Sequence, residues 1–173
     1  YSRLGRKALR FGTVSLAEEM RHLRRDFAHR LAEEGGTLEI AEDMPEVRGE
    51  ATLLGRLFSN LVDNALAYRK PGEPAKVRID WQAAGECVEV RVSDEGIGIP
   101  PEHHDKIFDV FQRLHGEDEI AGTGIGLAVV KKVVDLLDGE VRVESEPGKG
   151  STFVVTLPRP GKPAATIDGE EDE

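Results

Sequence analysis

The 173-residue chain holds a single cysteine, Cys87, so neither an internal disulfide nor a cysteine metal cluster can form. Cys87 sits in a strand pattern and reads as a small apolar filler. No apolar run approaches the ~20 residues that cross a bilayer, and no signal-peptide pattern is visible. Basic residues are in deficit, 23 Lys and Arg against 33 Asp and Glu, and a net charge of -10 argues against a dedicated nucleic-acid binder. A Walker loop, Gly-x-x-x-x-Gly-Lys-Ser/Thr, is absent, and the glycines from Gly122 do not make a Rossmann site, since no strand directly precedes them and the third glycine is misplaced. His103 and His104 are adjacent, so they point different ways on any element, and no acidic or cysteine cluster beside them has ligand spacing.

What is present fits one globular domain with a sizeable core: 39% hydrophobic and 32% charged residues. Two glycine stretches echo each other, Asp94-Glu-Gly-Ile-Gly-Ile-Pro100 and Gly122-Thr-Gly-Ile-Gly-Leu-Ala128. The first follows Val88, Val90 and Val92, whose period-two alternation predicts a strand ending on the carboxylate of Asp94. The second opens a predicted helix from about Ile125 to Leu137. There Gly126 would cost roughly 1 kcal/mol as an interior helix residue, unless backbone N–H groups must approach an anion. A third element is the predicted helix from Ala51 to Tyr68. Leu54, Leu57, Phe58, Leu61 and Ala65 form its apolar stripe, and Asn60 and Asn64 fall on the border with Tyr68 on the same side. Asparagine is a poor interior helix residue, and two amides at a core edge can reach a buried polar ligand.

The remaining elements follow in order. Gly12–Ser15 predicts a short edge strand, and Leu16 to about Leu31 a helix with Leu16, Met20, Leu23, Phe27 and Leu31 on one face. Ser15 is its expected N-cap, with Glu18 as capping-box partner, and Gly35-Gly36 its stop. Strands are expected over Thr37–Ala41, Glu46–Gly49, around Val77–Trp81, and in a final hairpin of Val141 and Val143 with Phe153, Val155 and Leu157. A turn is expected at Ala84-Gly85, and a short helix from Pro100-Pro101 toward Phe108. Residues 112–122 lack periodicity and read as a mobile lid. The tail from Pro158 is Pro/Gly-rich, ends in acidic residues and reads as disordered. Together these elements predict an α/β two-layer sandwich, a mixed sheet of about five strands covered on one face by three helices.

Four motifs taken in order resemble those of sensor histidine kinases, members of the Bergerat-fold (GHKL) ATPases. Asn60-Leu-Val-Asp-Asn64-Ala is similar to their N box, Asp94-Glu-Gly-Ile-Gly to the first glycine box, Phe108-Asp-Val-Phe-Gln-Arg113 to the F box, and Gly122-Thr-Gly-Ile-Gly-Leu to the second glycine box. The resemblance spans about residues 12–158. Its Ala-Tyr-Arg-Lys-Pro-Gly and Phe-Gln-Arg-Leu-His stretches are nearest in style to phytochrome-type kinases.

The resemblance implies a catalytic domain over 12–158 that binds ATP with Mg²⁺. It implies an end of a dimerisation hairpin, or a linker, over 1–11 and an acidic tail over 159–173; a solvated basic tail is the other reading of the N-terminal stretch. By the same resemblance Asn64 ligates Mg²⁺ and Asn60 helps organise phosphoryl transfer. Asp94 accepts from the adenine amino group, and Gly96 and Gly98 let the backbone turn beneath the base. Gly122, Thr123, Gly124, Gly126 and Leu127 bring the phosphate-facing backbone. Tyr68 either stacks on the base or packs in the core, and Arg113 either contacts the γ-phosphate or is a surface arginine. Thr152 is expected near the adenine pocket.

Ala67 stands where many members of the family carry a lysine. Either Arg69 or Lys70 supplies that charge, or the phosphates are held less tightly. The implied partners are the histidine-bearing hairpin of the same protein and a response regulator, in a homodimeric, cytoplasmic parent that is either free or membrane-anchored. No direct membrane contact and no nucleic acid are expected of this domain. His22 and His29 lack the following acidic residue of phosphoacceptors. Two rival readings remain at this point. One is an ATP-hydrolysing relative, which would carry a glutamate base where Asn60 stands; the other is a degenerate nucleotide-binding interaction module.

Overall fold

The computed structural model describes residues 9–109 and 126–161. Two antiparallel strands, β1 (Gly12–Ser15) and β3 (Glu46–Gly49), form a small ribbon beside a five-stranded sheet. The large sheet contains β2 (Thr37–Ile40), β4 (Lys76–Ala84), β5 (Cys87–Asp94), β6 (Glu140–Ser145) and β7 (Ser151–Pro158), in the order β2-β4-β5-β7-β6. Only the β2–β4 pairing is parallel, so the sheet is mixed. Three helices pack against it: α1 (Leu16–Glu34) against β2, α2 (Ala51–Ala67) against β4 and β5, and α3 (Gly126–Leu136) against β6. Seven strands were expected in sequence, and the five-strand sheet with three helices is the expected two-layer sandwich; the ribbon takes the other two.

Each element forms for a local reason. α1 starts where the Ser15 hydroxyl accepts from the Glu18 N–H at 3.3 Å. It runs three residues beyond the expected Leu31 and stops at Gly35, whose φ of 68° is left-handed. α2 is capped by Glu50, whose carboxylate accepts from the Leu53 N–H at 2.8 Å. Its stripe of Leu53, Leu54, Leu57, Phe58, Leu61, Val62, Ala65 and Leu66 is buried. That stripe meets Val77, Ile79, Val88, Val90, Val92, Phe153, Val155 and Leu157 from the strands in one continuous core. The β4–β5 turn falls on Gly85-Glu86, one residue later than expected, because Ala84 pairs with Cys87 and Gly85 takes the positive φ of 63°. The segment after Pro100 is two 3₁₀ turns, Pro101–His103 and Lys106–Phe108, rather than one helix. Phe108 is anchored edge-on to Phe153, ring centroids 6.3 Å apart.

The outer sheet face is an ion-pair lattice. Arg91 joins Glu89 at 3.0 Å and Glu144 at 2.6 Å, and Arg142 joins the same two carboxylates. Val154 lies between Arg91 and Arg142 in register and is buried, although its parity points it away from the helices. Among the described residues no helix is long and apolar enough to cross a membrane.

Candidate functional site

The C-terminal end of β5 is where the sequence motifs meet. Alternation along β5 puts Val88, Val90 and Val92 into the core and carries Asp94 to the same face at the strand end. The carboxylate accepts from the Gly96 N–H at 2.8 Å and the Ser151 N–H at 3.3 Å. Both donors fall on Oδ1, so Oδ2 is the oxygen that remains to receive a third. Burial pushes the Asp94 carboxyl up to about 6, against the opposing pull of the two N–H groups. It is ionised at neutral pH, in a setting that disfavours its charge.

The glycine loop after Asp94 is fastened on three sides. Ile97 N–H donates to the Tyr68 carbonyl at 3.0 Å, and Gly148 N–H donates to the Ile97 carbonyl at 2.7 Å. Ile99 N–H donates to the Ser145 hydroxyl at 2.8 Å. His104 Nε2 lies 2.9 Å from the Ile99 carbonyl, which can only accept, so that nitrogen carries hydrogen. Two glycines are required by this closeness. A Cβ on Gly96 would collide with the Tyr68 carbonyl, and one on Gly98, at φ 74°, with the Glu146 carbonyl. The loop is therefore clamped between the end of α2 and the β6–β7 turn.

α2 contributes its C-terminal half. Tyr68 caps the helix through its N–H to the Asn64 carbonyl at 3.1 Å, while its own carbonyl holds the glycine loop. Asn60, Asn64 and Tyr68 are all half-buried. The Asn60 amide donates to the Arg56 carbonyl at 2.8 Å, which fixes which end is oxygen. That oxygen, Oδ1, faces Gly126 at the head of the described part of α3; a Cβ there would lie 3.4 Å from it. Such a contact is ordinary, so no described neighbour demands glycine at 126. Leu127 follows, half-buried and packed on the core.

The structure thus links Tyr68 to the loop of Asp94, Gly96 and Gly98, and Asn60 to Gly126, which Leu127 follows; Asn64 lies one turn before Tyr68 on the same helix. Thr152 is not among them. Its hydroxyl donates to Ser93 at 3.0 Å on the opposite sheet face, because Thr152 pairs with Ser93 while Ser151 pairs with Asp94. Ser151, the one buried polar side chain among the described residues, takes the place expected of Thr152. The signal was in the sequence: if Phe153, Val155 and Leu157 face the core, parity puts Ser151 with them. Arg113, Gly122, Thr123 and Gly124, the lid over 112–122, the stretch 1–8 and most of the acidic tail lie outside the described residues.

Of the two replacements considered for the lysine missing at Ala67, Arg69 is engaged elsewhere. It donates to the Leu66 carbonyl at 2.8 Å and to Glu34 of α1 at 3.3 Å.

The donor set fits the expected ligands. Neutral amide oxygens are hard ligands of the kind Mg²⁺ accepts while keeping waters and phosphate oxygens. A half-buried carboxylate with one oxygen open suits an exocyclic amino donor.

Comparison with known proteins accounts for this assembly. Residues 49–161 match the family described as histidine kinase-, DNA gyrase B- and HSP90-like ATPases. The chain is 34% identical over its whole length to cyanobacterial phytochrome A of a Nostoc species, covering 22% of that protein. It is 41% identical over 135 residues to the sensor-like histidine kinase SenX3 of Mycobacterium tuberculosis, covering 75% of this chain and 32% of that one. Among solved structures, full-length ShkA in complex with AMPPNP superposes with a TM-score of 0.77 at 26% identity, covering 94% of this chain and 34% of that one. The histidine kinase ThkA in complex with the response regulator protein TrrA superposes with a TM-score of 0.71 at 25% identity, covering 87% and 42%. The chain belongs to the histidine kinase-, gyrase B- and HSP90-like ATPase family. Within it, the chain is a catalytic ATPase domain of the sensor histidine kinase type, spanning about a fifth to a third of the curated relatives' length.

Proposed function

We propose that this domain, over residues 12–158, binds Mg·ATP and delivers the γ-phosphoryl group to a histidine on a helical hairpin of the same protein. The phosphate then passes to an aspartate of a response regulator. The observation that supports the reading is that α2 reaches both other motifs: Tyr68, one turn after Asn64, holds the Asp94 loop, and Asn60 faces Gly126 of α3. Asp94 accepts from the adenine amino group, Gly96 and Gly98 keep the loop close beneath the base, and Tyr68 lies at the helix end beside them. Asn64 offers its amide oxygen to Mg²⁺, which when bound neutralises phosphate charge. Gly126 and Leu127 open the helix toward the phosphates, with Gly122, Thr123, Gly124 and Arg113 assigned there by resemblance.

Transfer needs an imidazole nitrogen in line with the γ-phosphorus as the bond to ADP breaks, so the domain's work is positioning and charge stabilisation. Asn60 favours transfer over hydrolysis. Its amide is neutral and committed to the Arg56 carbonyl at 2.8 Å, so it cannot take a proton from water. In this reading the parent protein is a cytoplasmic homodimer, free or membrane-anchored, with residues 1–11 the end of the hairpin or a linker and 159–173 an acidic tail.

Incubation of the hairpin-bearing protein with γ-labelled ATP tests the reading. An acid-labile, base-stable label on the hairpin histidine is expected. Rapid release of inorganic phosphate by this domain alone, with no such label, would favour hydrolysis instead.

A further inference from the structure

Ser145 closes β6 on the core-facing side, in line with Val141 and Val143, and it pairs with Ser151 across the β6–β7 ladder. Its hydroxyl meets three groups. The Ile99 N–H, at 2.8 Å, can only donate to it. The Gly150 carbonyl, at 2.7 Å, can only accept from it. Ser145 has one hydrogen, and the Gly150 carbonyl takes it. The third group is the Ser151 hydroxyl, at 2.8 Å. With the Ser145 hydrogen already used, Ser151 must be the donor in that contact. Its hydrogen then points toward Ser145, and its oxygen keeps lone pairs only.

Ser151 is 7% exposed, pairs with Asp94 across the β5–β7 ladder, and donates its backbone N–H to Asp94 Oδ1 at 3.3 Å. Gly150 is pinned by the same geometry. Its φ is 79°, and a Cβ would strike the Asp94 carbonyl. The Ser145 hydroxyl therefore ties together the loop that follows Asp94, the glycine that touches Asp94 and the serine beside it.

We propose that Ser145 is a positioning residue for base selection: by fixing the Ser151 hydroxyl as a donor to itself, it leaves Asp94 and Ser151 presenting only acceptor lone pairs, which select a purine with an amino group at C6 over one with a carbonyl. This rests on the reading of the Asp94 loop as part of an adenine nucleotide site. A 6-oxo purine brings an acceptor to that position, and with its hydrogen held by Ser145 the Ser151 hydroxyl offers it no donor. In Ser145→Ala the anchor is gone; the Ser151 hydroxyl turns freely and can donate to a 6-oxo group.

The test measures binding of ADP and of IDP, its 6-oxo counterpart, by calorimetry at pH 8. The proteins are the wild-type chain, Ser145→Ala, Ser145→Thr, Ser151→Ala and the Ser145→Ala/Ser151→Ala double variant. Wild type should prefer ADP. Ser145→Ala should reduce the ADP-to-IDP preference roughly tenfold, the scale of one misdirected hydrogen bond, and Ser145→Thr, which restores a hydroxyl, should recover it. Ser151→Ala should also lose preference, and the double variant should lose no more than the larger single loss, since the two hydroxyls act as one unit.

Equal weakening of ADP and IDP by Ser145→Ala would make the residue structural only and overturn the proposal, as would an unchanged preference. If Ser145→Ala does not fold, the Ser151→Ala preference decides: unchanged, the proposal falls. Failure of the underlying reading looks different, because then the wild-type chain itself binds neither nucleotide.

Discussion

Replacing Asp94 with asparagine should stabilise the empty domain while removing its nucleotide site. The carboxyl is moved from its usual 3.8 to about 6 by burial, which means that the folded chain holds the proton more tightly than the unfolded chain does. The associated stability is fully present below the unfolded value and is lost as pH rises through the folded one. Each unit between the two values is worth about 1.4 kcal/mol, so the ionised group costs the fold at most about 3 kcal/mol at pH 8, less to the extent that solvent still reaches the carboxylate. Asparagine is neutral throughout, and its Oδ1 can still accept from the Gly96 and Ser151 N–H groups. Urea unfolding should show Asp94→Asn more stable than wild type by about 1–3 kcal/mol at pH 8, with the gap shrinking as pH falls from about 6 toward about 4. A variant less stable than wild type at pH 8, or a gap that ignores pH in that window, would refute the reasoning.

Nucleotide affinity should carry the same titration. ADP binding should weaken about tenfold between pH 7.5 and pH 5, relative to a purine nucleotide lacking the 6-amino group so that phosphate titration cancels; parallel curves would count against Asp94 as the acceptor. Asn64→Ala should cut the gain in ATP affinity that Mg²⁺ brings far more than it cuts metal-free binding, and equal losses in competition assays would remove Asn64 from the metal. Gly148 and Gly150 share left-handed φ values of 80° and 79°, yet only Gly150 has a neighbour, the Asp94 carbonyl, where a Cβ would go. Gly148→Ala should therefore cost about 1–2 kcal/mol and Gly150→Ala clearly more, with ADP affinity lost as well; equal midpoints in denaturant would contradict the close packing.

Much of this was legible because burial and period coincide. The leucines of α2 and the valines of β5 repeat at 3.6 and 2, so both elements and the position of Asp94 at a strand end follow from spacing alone. Ser15 and Gly35 mark α1 because capping chemistry is local. What escaped depends on partners distant in sequence. Ser151 and Thr152 differ by one step of parity; the alternation of Phe153, Val155 and Leu157 already separates them, but that Ser151 lies opposite Asp94 needed the β5–β7 register. Ser145 looks like any strand-end serine until Ile99, Gly150 and Ser151 close around it. Val154 reads as outward and exposed until two arginines flank it. Arg69 offered a charge for phosphate, but Glu34, 35 positions away in sequence, had already engaged it.

Calorimetric titration of ADP into the wild-type chain and into Asp94→Ala is the most direct test of the nucleotide site. Wild type should give a one-to-one isotherm, and the variant, although folded, should lose about 1–3 kcal/mol of binding free energy, the cost of leaving the adenine amino group without its acceptor. An unchanged ADP affinity in Asp94→Ala, or no ADP binding by the wild-type chain, would contradict it.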